Sequence, residues 1–307
     1  MRVVIVGGAG FIGRALASAL SMRGVQTQVW DTAARLEAAK TALPGCSTRV
    51  FDFATMAIAP GALSGTDALL HLGCTTTPAR SMDDMARDAA SNIAPSVRLF
   101  QAAAAAGIPR VVFASSGGTV YGVAGATPVV EHDVGQPLCA YGVSKLAIEH
   151  YLALHADVRG ISLRMANPYG AYQLGGTAVG VVAKCIAMAS RNRALEVWGD
   201  GSVVRDYIAI DDVVAAFEHA IAAPDLEAGP YNIGTGVGSS VNDIIATVGR
   251  VSGRTPDVRY LAGRAYDVPA IVLDCTRFQR ATGWTPRTSL HDGIAALWHV
   301  AAERSAG

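Results

Sequence analysis

Charge is scarce in this chain, and what there is cancels. Only 16% of the 307 residues are Asp, Glu, Lys or Arg, and 25 basic residues meet 25 acidic ones. Without a basic excess or a Lys/Arg cluster, neither nucleic acid nor an anionic membrane surface is an expected partner. Cysteine is sparse as well. The five thiols, at Cys46, Cys74, Cys139, Cys185 and Cys275, are far apart and form no CxxC pair. They read as reduced, mostly buried thiols of a cytoplasmic protein, not as a disulfide frame. Seven histidines form no HExxH or comparable cluster, so no metal site is expected. The first apolar run is too short and too rich in glycine for a secretory signal or a membrane span.

What the chain has in quantity is apolar side chain, 51% of its residues. At this length that provides one large or two modest domains with a substantial core, and it excludes a disordered chain. Apolar runs at Val3–Val6, Thr27–Trp30, Ala68–His71, Val111–Ala114 and Ile161–Met165 read as strands. Between them lie helix candidates at Ile12–Arg23, Met85–Ala106 and Ser144–His155, the second stopped by Gly107-Ile108-Pro109. This alternation predicts an α/β fold built on a doubly wound parallel sheet. After Asn167-Pro168-Tyr169-Gly170 the alternation weakens and glycine-rich loops separate shorter elements. Residues 1–166 are therefore expected to form a cofactor-binding domain. Residues 167–307 are expected to form mainly a smaller α/β substrate-binding lobe, with some segments packing back on the first domain.

The most informative stretch is Met1 to Asp31. A short apolar strand runs into Gly7-Gly8-Ala9-Gly10-Phe11-Ile12-Gly13, a helix follows, and a second strand ends on Asp31. Each part suits the grip on a dinucleotide. Gly7 allows a turn, Gly10 lets the backbone approach a pyrophosphate, and Gly13 lets the helix pack closely on the strand. The helix N-terminus, at Phe11 and Ile12, offers free N–H groups and a partial positive charge to the phosphates. Asp31 stands where a carboxylate accepts the adenosine ribose hydroxyls and repels a 2′-phosphate, which favours NAD over NADP.

A second signal is Tyr141-Gly142-Val143-Ser144-Lys145. Spacing of four puts phenol and ammonium on neighbouring turns of one helix face. A nearby cation is expected to lower the phenol pKa and make the tyrosine a usable base, while the lysine also reaches a nicotinamide ribose. Upstream, Phe113-Ala114-Ser115-Ser116-Gly117-Gly118-Thr119-Val120-Tyr121-Gly122 leaves the carboxyl end of a strand, where hydroxyls can hold a substrate oxygen beside Tyr141.

Together these features resemble the extended short-chain dehydrogenase/reductase family, in its nucleotide-sugar epimerase branch, with a Rossmann fold. The resemblance includes Phe51-Asp52-Phe53, His71-Leu72-Gly73, Asn92, Asn167-Pro168-Tyr169-Gly170, Arg205-Asp206-Tyr207-Ile208 and Tyr231-Asn232-Ile233-Gly234-Thr235-Gly236. It implies that Asp52 and Phe53 meet the adenine and that Leu72, Gly73, Asn92 and Ser115 line the cofactor. Asn167, Arg205 and Arg264 would hold the nucleotide diphosphate, since guanidinium forks pair with phosphate oxygens. Asp267 would meet the nucleoside ribose, although the usual proline after the arginine is Ala265 here. The resemblance also implies a homodimer built on the second and third helix candidates.

One departure concerns the catalytic hydroxyl. Counted back from Val120-Tyr121-Gly122, the family's usual Ser/Thr position falls on Gly117. Ser116 is favoured as the substitute, with Ser115, Thr119 or a water as alternatives. Thr119 is in any case expected to border the substrate. The resemblance implies NAD-dependent C4 epimerisation of a nucleotide sugar through a 4-keto intermediate, with Tyr141, Lys145 and Ser116 catalytic. The adjacent Asp-Glu pair that serves 4,6-dehydratases is replaced by Gly118 and Thr119, which argues against elimination. A 4-ketoreductase is the alternative, and a non-catalytic NAD-binding sensor or scaffold a more distant one. Where epimerases that exclude N-acetyl sugars carry a bulky tyrosine, this chain has Ile271, so an N-acetylhexosamine is expected to fit; the alternative reading of Ile271 is a plain core residue.

Overall fold

A computed structural model describes residues 1–123, 127–133, 135–174, 180–263 and 268–306. β1 (Arg2–Val6) shows why the main sheet forms. Val3, Val4, Ile5 and Val6 are all fully buried, and a β-branched run of this kind suits a strand covered on both faces. Six strands join it: β2 (Gln26–Asp31), β3 (Ser47–Val50), β4 (Ala68–His71), β5 (Arg110–Ser116), β6 (Arg159–Met165) and β10 (Gly229–Ile233). The order is β10-β6-β5-β4-β1-β2-β3, with every neighbouring pair parallel. The chain winds outward from β1 to β3, returns to β4 and winds outward the other way. Where the two directions part, between the carboxyl ends of β1 and β4, this architecture leaves a crevice for ligands.

Alternate side chains of β1 face opposite ways, and each face has its own cover. Val3 and Ile5 join a core with Leu16 of α1 (Phe11–Met22) and Phe217 of α7 (Ile210–Ala222). Val4 and Val6 join another with Leu99 and Phe100 of α3 (Met85–Ala105) and Ile148 and Leu152 of α5 (Ala140–Ala153). The short α2 (Ala33–Ala39) follows β2, and α4 (Gly117–Val120) is a single turn after β5. α3 ends as expected: Gly107 takes φ +68°, and the N–H groups of Gly107 and Ile108 donate to Ala104 and Ala103.

The second half builds a smaller layer. β7 (Asn167–Tyr169), β11 (Gly238–Ser240) and β13 (Ala270–Ile271) all pair with β9 (Val204–Ala209). β8 (Leu195–Trp198) pairs with β12 (Val258–Leu261). Around them α6 (Val181–Ser190), α8 (Val241–Ser252) and α10 (Leu290–Ala306) share a core that includes Ile186, Leu195, Ile244 and Leu297. α7 and α9 (Thr276–Thr282) instead place Phe217 and Phe278 in the core of the main sheet.

Two strands of the main sheet carry no apolar run. β3, Ser-Thr-Arg-Val, is an edge strand with mostly exposed side chains, and β10 begins Gly-Pro. The helix expected at Ser144–His155 begins at Ala140, which puts Tyr141 in its first turn.

Candidate active site

A cleft of about 960 Å³ runs from the carboxyl ends of β4 and β5 to β7 and β9. Cys74 to Arg80, Ser116, Gly118 and Thr119 form one wall, while Asn167, Arg205 and Tyr207 form the other. A second cavity, of about 680 Å³ between α1, α7 and α10, holds none of the residues discussed for catalysis.

The glycine loop is built by close approach. At Gly7, with φ +78°, a Cβ would stand 2.7 Å from the Gly73 nitrogen. At Gly13 it would stand 2.5 Å from the Gly8 Cα. Gly10 caps α1 without a side chain, so the N–H groups of the first turn point out of the helix with no side-chain partner. Asp31, 7% exposed, accepts the Ala9 N–H at 3.0 Å and the Thr32 N–H at 2.8 Å. The carboxylate thus ties the loop to β2, and each oxygen retains a lone pair for a ribose hydroxyl. These residues fit a dinucleotide: the cradle is one that a single Cβ would fill, and it opens at a helix N-terminus. Sequence reasoning missed Arg35, which lines the cleft with Nη1 3.9 Å from where a Gly10 Cβ would sit.

The other expected cofactor residues follow β3 and β4 or hold the loop after β4. Asp52 folds onto its own turn, accepting the Ala54 N–H at 3.0 Å. Phe53 backs Gly73, whose Cβ would meet its ring at 3.1 Å, and its ring lies 4.9 Å from that of His71. Leu72 packs against the main core. Asn92 is buried, accepts the Thr75 N–H at 3.0 Å and donates to the Asp88 carbonyl at 2.9 Å. Its amide holds the loop after β4.

Tyr141 and Lys145 meet as the spacing predicts. The Tyr141 N–H donates to Ser81 Oγ at 3.0 Å, which fixes the first turn of α5. Lys145, 4% exposed, donates to the Ala114 carbonyl at 2.7 Å. Its Nζ lies 4.6 Å from the Phe113 ring centroid and 5.4 Å from that of Tyr141. The expected lowering of the phenol pKa is corrected by this geometry. Burial pushes Tyr141 well above the usual phenol range, and Cys74, Cys139 and Asp88 push the same way. Burial also lowers Lys145, against the raising influence of Cys74, Glu149 and Asp88.

The hydroxyls divide clearly. Ser115 is buried, and its Oγ donates to Glu149. Glu149 in turn pairs with Arg164 at 2.7 Å, and Arg164 donates to the Tyr121 hydroxyl at 3.0 Å. That buried network knits β5, α5 and β6 together, and it takes Ser115 out of the cleft chemistry. Ser116 lines the cleft and makes no capping bond at the start of α4. Thr119 also lines it, with a buried Oγ1 that has no hydrogen-bond partner among the described residues. An orphaned hydroxyl at a cleft wall fits a polyhydroxylated ligand.

Opposite, the Asn167 Oδ1 lies 3.1 Å from where a Gly118 Cβ would be. Arg205 donates to the Val204 and Val268 carbonyls at 2.8 and 2.6 Å while lining the cleft. Beside it Asp206, 2% exposed, accepts the N–H groups of Thr235 at 2.9 Å and Gly236 at 3.1 Å, joining two of the late motifs. The reading of Ile271 as a sugar contact is corrected: it is 3% exposed and packs in the main core. Arg264, Ala265 and Asp267 lie outside the described residues. Among the described residues no three His, Cys, Asp or Glu side chains could hold a metal ion, and no helix is long and apolar enough to cross a membrane.

Known proteins are similar to this chain in sequence and in fold. Residues 3–234 match the family described as the NAD dependent epimerase/dehydratase family. The chain is 32% identical to the UDP-glucose 4-epimerase of Mycolicibacterium smegmatis, with 96% of each covered. It is 29% identical to the dTDP-4-dehydro-6-deoxyglucose reductase of Escherichia coli, again with 96% of each covered. Among solved structures, the UDP-glucose 4-epimerase of Thermotoga maritima with UDP-glucose superposes with a TM-score of 0.90 over 100% of both chains, at 28% identity. With the glycine cradle, the Tyr141–Lys145 pair and this match over most of its length, the chain belongs to the NAD-dependent epimerase/dehydratase family.

Proposed function

We propose that this protein epimerises a nucleotide-diphosphate hexose, or its N-acetylhexosamine counterpart, at C4. The observation that carries the reading is the pairing of two hydroxyls on the cleft wall, Ser116 at the end of β5 and Thr119 in α4, with the Tyr141–Lys145 pair at the start of α5, and with glycine and threonine where elimination requires acids. Reversible hydride exchange at C4 is the chemistry that NAD supplies when bound. Tyr141 takes the 4-hydroxyl proton and returns it after the sugar has presented its other face. Lys145 compensates the charge on the phenol, and Ser116 holds the reacting oxygen in line. Thr119 offers a hydrogen bond to a sugar hydroxyl. Asn167 and Arg205 anchor the diphosphate, so that remote binding energy retains the 4-keto sugar while it turns. In this assignment residues 1–166 carry mainly the cofactor functions and residues 167–307 mainly the substrate contacts.

Purified protein incubated with UDP-glucose, UDP-galactose or their N-acetylated forms and catalytic NAD, followed through the anomeric protons by NMR, tests the reading. The C4 epimer should accumulate without net cofactor turnover. The Escherichia coli reductase favours the second reading, 4-ketoreduction, which would show as stoichiometric NADH consumption with a 4-keto-6-deoxy substrate.

We also assign the protein to a homodimer paired through α3 and α5. Met85 and Val143, 59% and 52% exposed, leave an apolar strip across these helices around a hollow of about 340 Å³. Sedimentation should give twice the chain mass. Five unpaired thiols suit a reducing compartment, and the cytoplasm is the expected location.

A further inference from the structure

The carboxylate of Asp88 is fully buried and forms no ion pair among the described residues. A lone charge in that position requires several good donors. It has three, each from a different segment. Ser144 Oγ on α5 donates to Oδ2 at 2.6 Å, Thr76 Oγ1 from the loop after β4 donates to Oδ1, and Asn92 Nδ2 on α3 donates to Oδ1 at 3.2 Å. Ser144 is the residue before Lys145, and Asn92 also holds the Thr75 N–H. Asp88, Asn92, Cys74, Tyr141, Ser144 and Lys145 enclose one small space beneath the cleft.

We infer that Asp88 is a positioning residue for the Tyr141–Lys145 pair: it clamps the start of α5 to the loop after β4 and supplies the negative charge that faces both groups. This inference rests on Tyr141 being the base. The groups facing Tyr141 are Asp88 from α3, Cys74 from the loop after β4, Cys139 from the preceding turn and Lys145 on its own helix. Those facing Lys145 are Asp88, Cys74, Glu149 and His71 of β4; Arg164 neutralises Glu149, and burial together with Lys145 itself holds His71 well below the usual imidazole range, so it stays neutral. Asp88 therefore acts on the pair as the carboxylate without a cation of its own. A like charge opposes ionisation of the phenol, whereas an opposite charge favours the ammonium. Both effects hold the pair protonated.

Two variants separate charge from clamp. Asp88→Asn keeps the shape and removes the charge. Both limbs of the pH profile of kcat should then move to lower pH, by about one unit. The tyrosinate absorbance of the unloaded protein, taken as a difference from the matching Tyr141→Phe proteins, should move in the same direction. Ser144→Ala keeps the charge and cuts one clamp. It should lower kcat about tenfold at every pH, with limbs unmoved and KM within about twofold. If the limbs and the tyrosinate titration of Asp88→Asn superpose on those of the parent, the inference is wrong. It is equally wrong if Ser144→Ala turns over at the parent rate. A Tyr141→Phe protein that keeps full activity would instead sink the reading of Tyr141 as base, while the absorbance titration would still report whether Asp88 acts on the phenol.

Discussion

Gly117 and Leu273 are packed so closely that a Cβ on the glycine would stand 2.5 Å from Leu273 Cδ1. It would also stand 3.0 Å from the Arg164 carbonyl oxygen, which cannot retreat. Gly117→Ser, the substitution that restores the family's usual hydroxyl, should therefore cost about 1–3 kcal/mol of stability without raising turnover. Adding Leu273→Ala should recover part of the loss at the Leu273 contact. Thermal melts of the two proteins check this.

Ser116 and Ser115 should part company on mutation. Ser116→Ala should cut kcat about 10²-fold with little change in melting temperature. Ser115→Ala removes a donor from buried Glu149 and should cost about 1–3 kcal/mol of stability, with a smaller effect on turnover. Steady-state kinetics paired with denaturant titration separates the outcomes.

Alkaline pH should unfold the protein earlier than its arginine and lysine content alone predicts. Burial pushes the phenols of Tyr121 and Tyr207 and the Cys185 thiol each up to about 12. In the unfolded chain the phenols ionise near 10 and the thiol near 9. An acid whose folded pKa is raised keeps its proton longer in the native state, so its contribution is intact below the unfolded value and is lost as pH rises toward the folded one. Stability measured by denaturant titration should stay level to about pH 9 and then fall, by about 2–3 kcal/mol for each phenol once pH 12 is passed. Tyr121→Phe should flatten the decline.

Ile271→Tyr should act on stability, not on sugar choice. The side chain is in the main core, and the extra ring has no space there. A loss of about 1–3 kcal/mol is expected, with the rate ratio for N-acetylated and plain sugars unchanged. Competition between the two substrates reads that ratio directly.

Much of the fold was legible because its signals are local. The glycine loop, the apolar strands and the YxxxK spacing each lie within one short segment, so backbone constraints and periodicity expose them. What stayed hidden depends on contacts between distant segments. Nothing near Gly117 announces Leu273, and nothing near Asp88 announces Ser144. Arg164 was the exception left unread: a lone cation inside the apolar strand Ile161–Met165 implies a buried partner. Glu149, one helical turn beyond Lys145, is that partner. Ile271 misled because a position matched by spacing fixes neither the direction nor the depth of its side chain.

The seat of β10 beside β6, with Ile161 opposite Gly229 and Met165 opposite Ile233, has a consequence for how the chain is made. When β6 leaves the ribosome, the strand that will cover its outer edge has not yet been translated. Until then the nascent sheet ends on the long and mostly buried β6, not on the shorter β10 with its proline, and offers that edge to any other strand in reach. A gene cut after β6 should therefore yield an aggregating product, and splitting the halves onto two messages should work only if both are translated together. The first half therefore ends on a strand that the second half must supply.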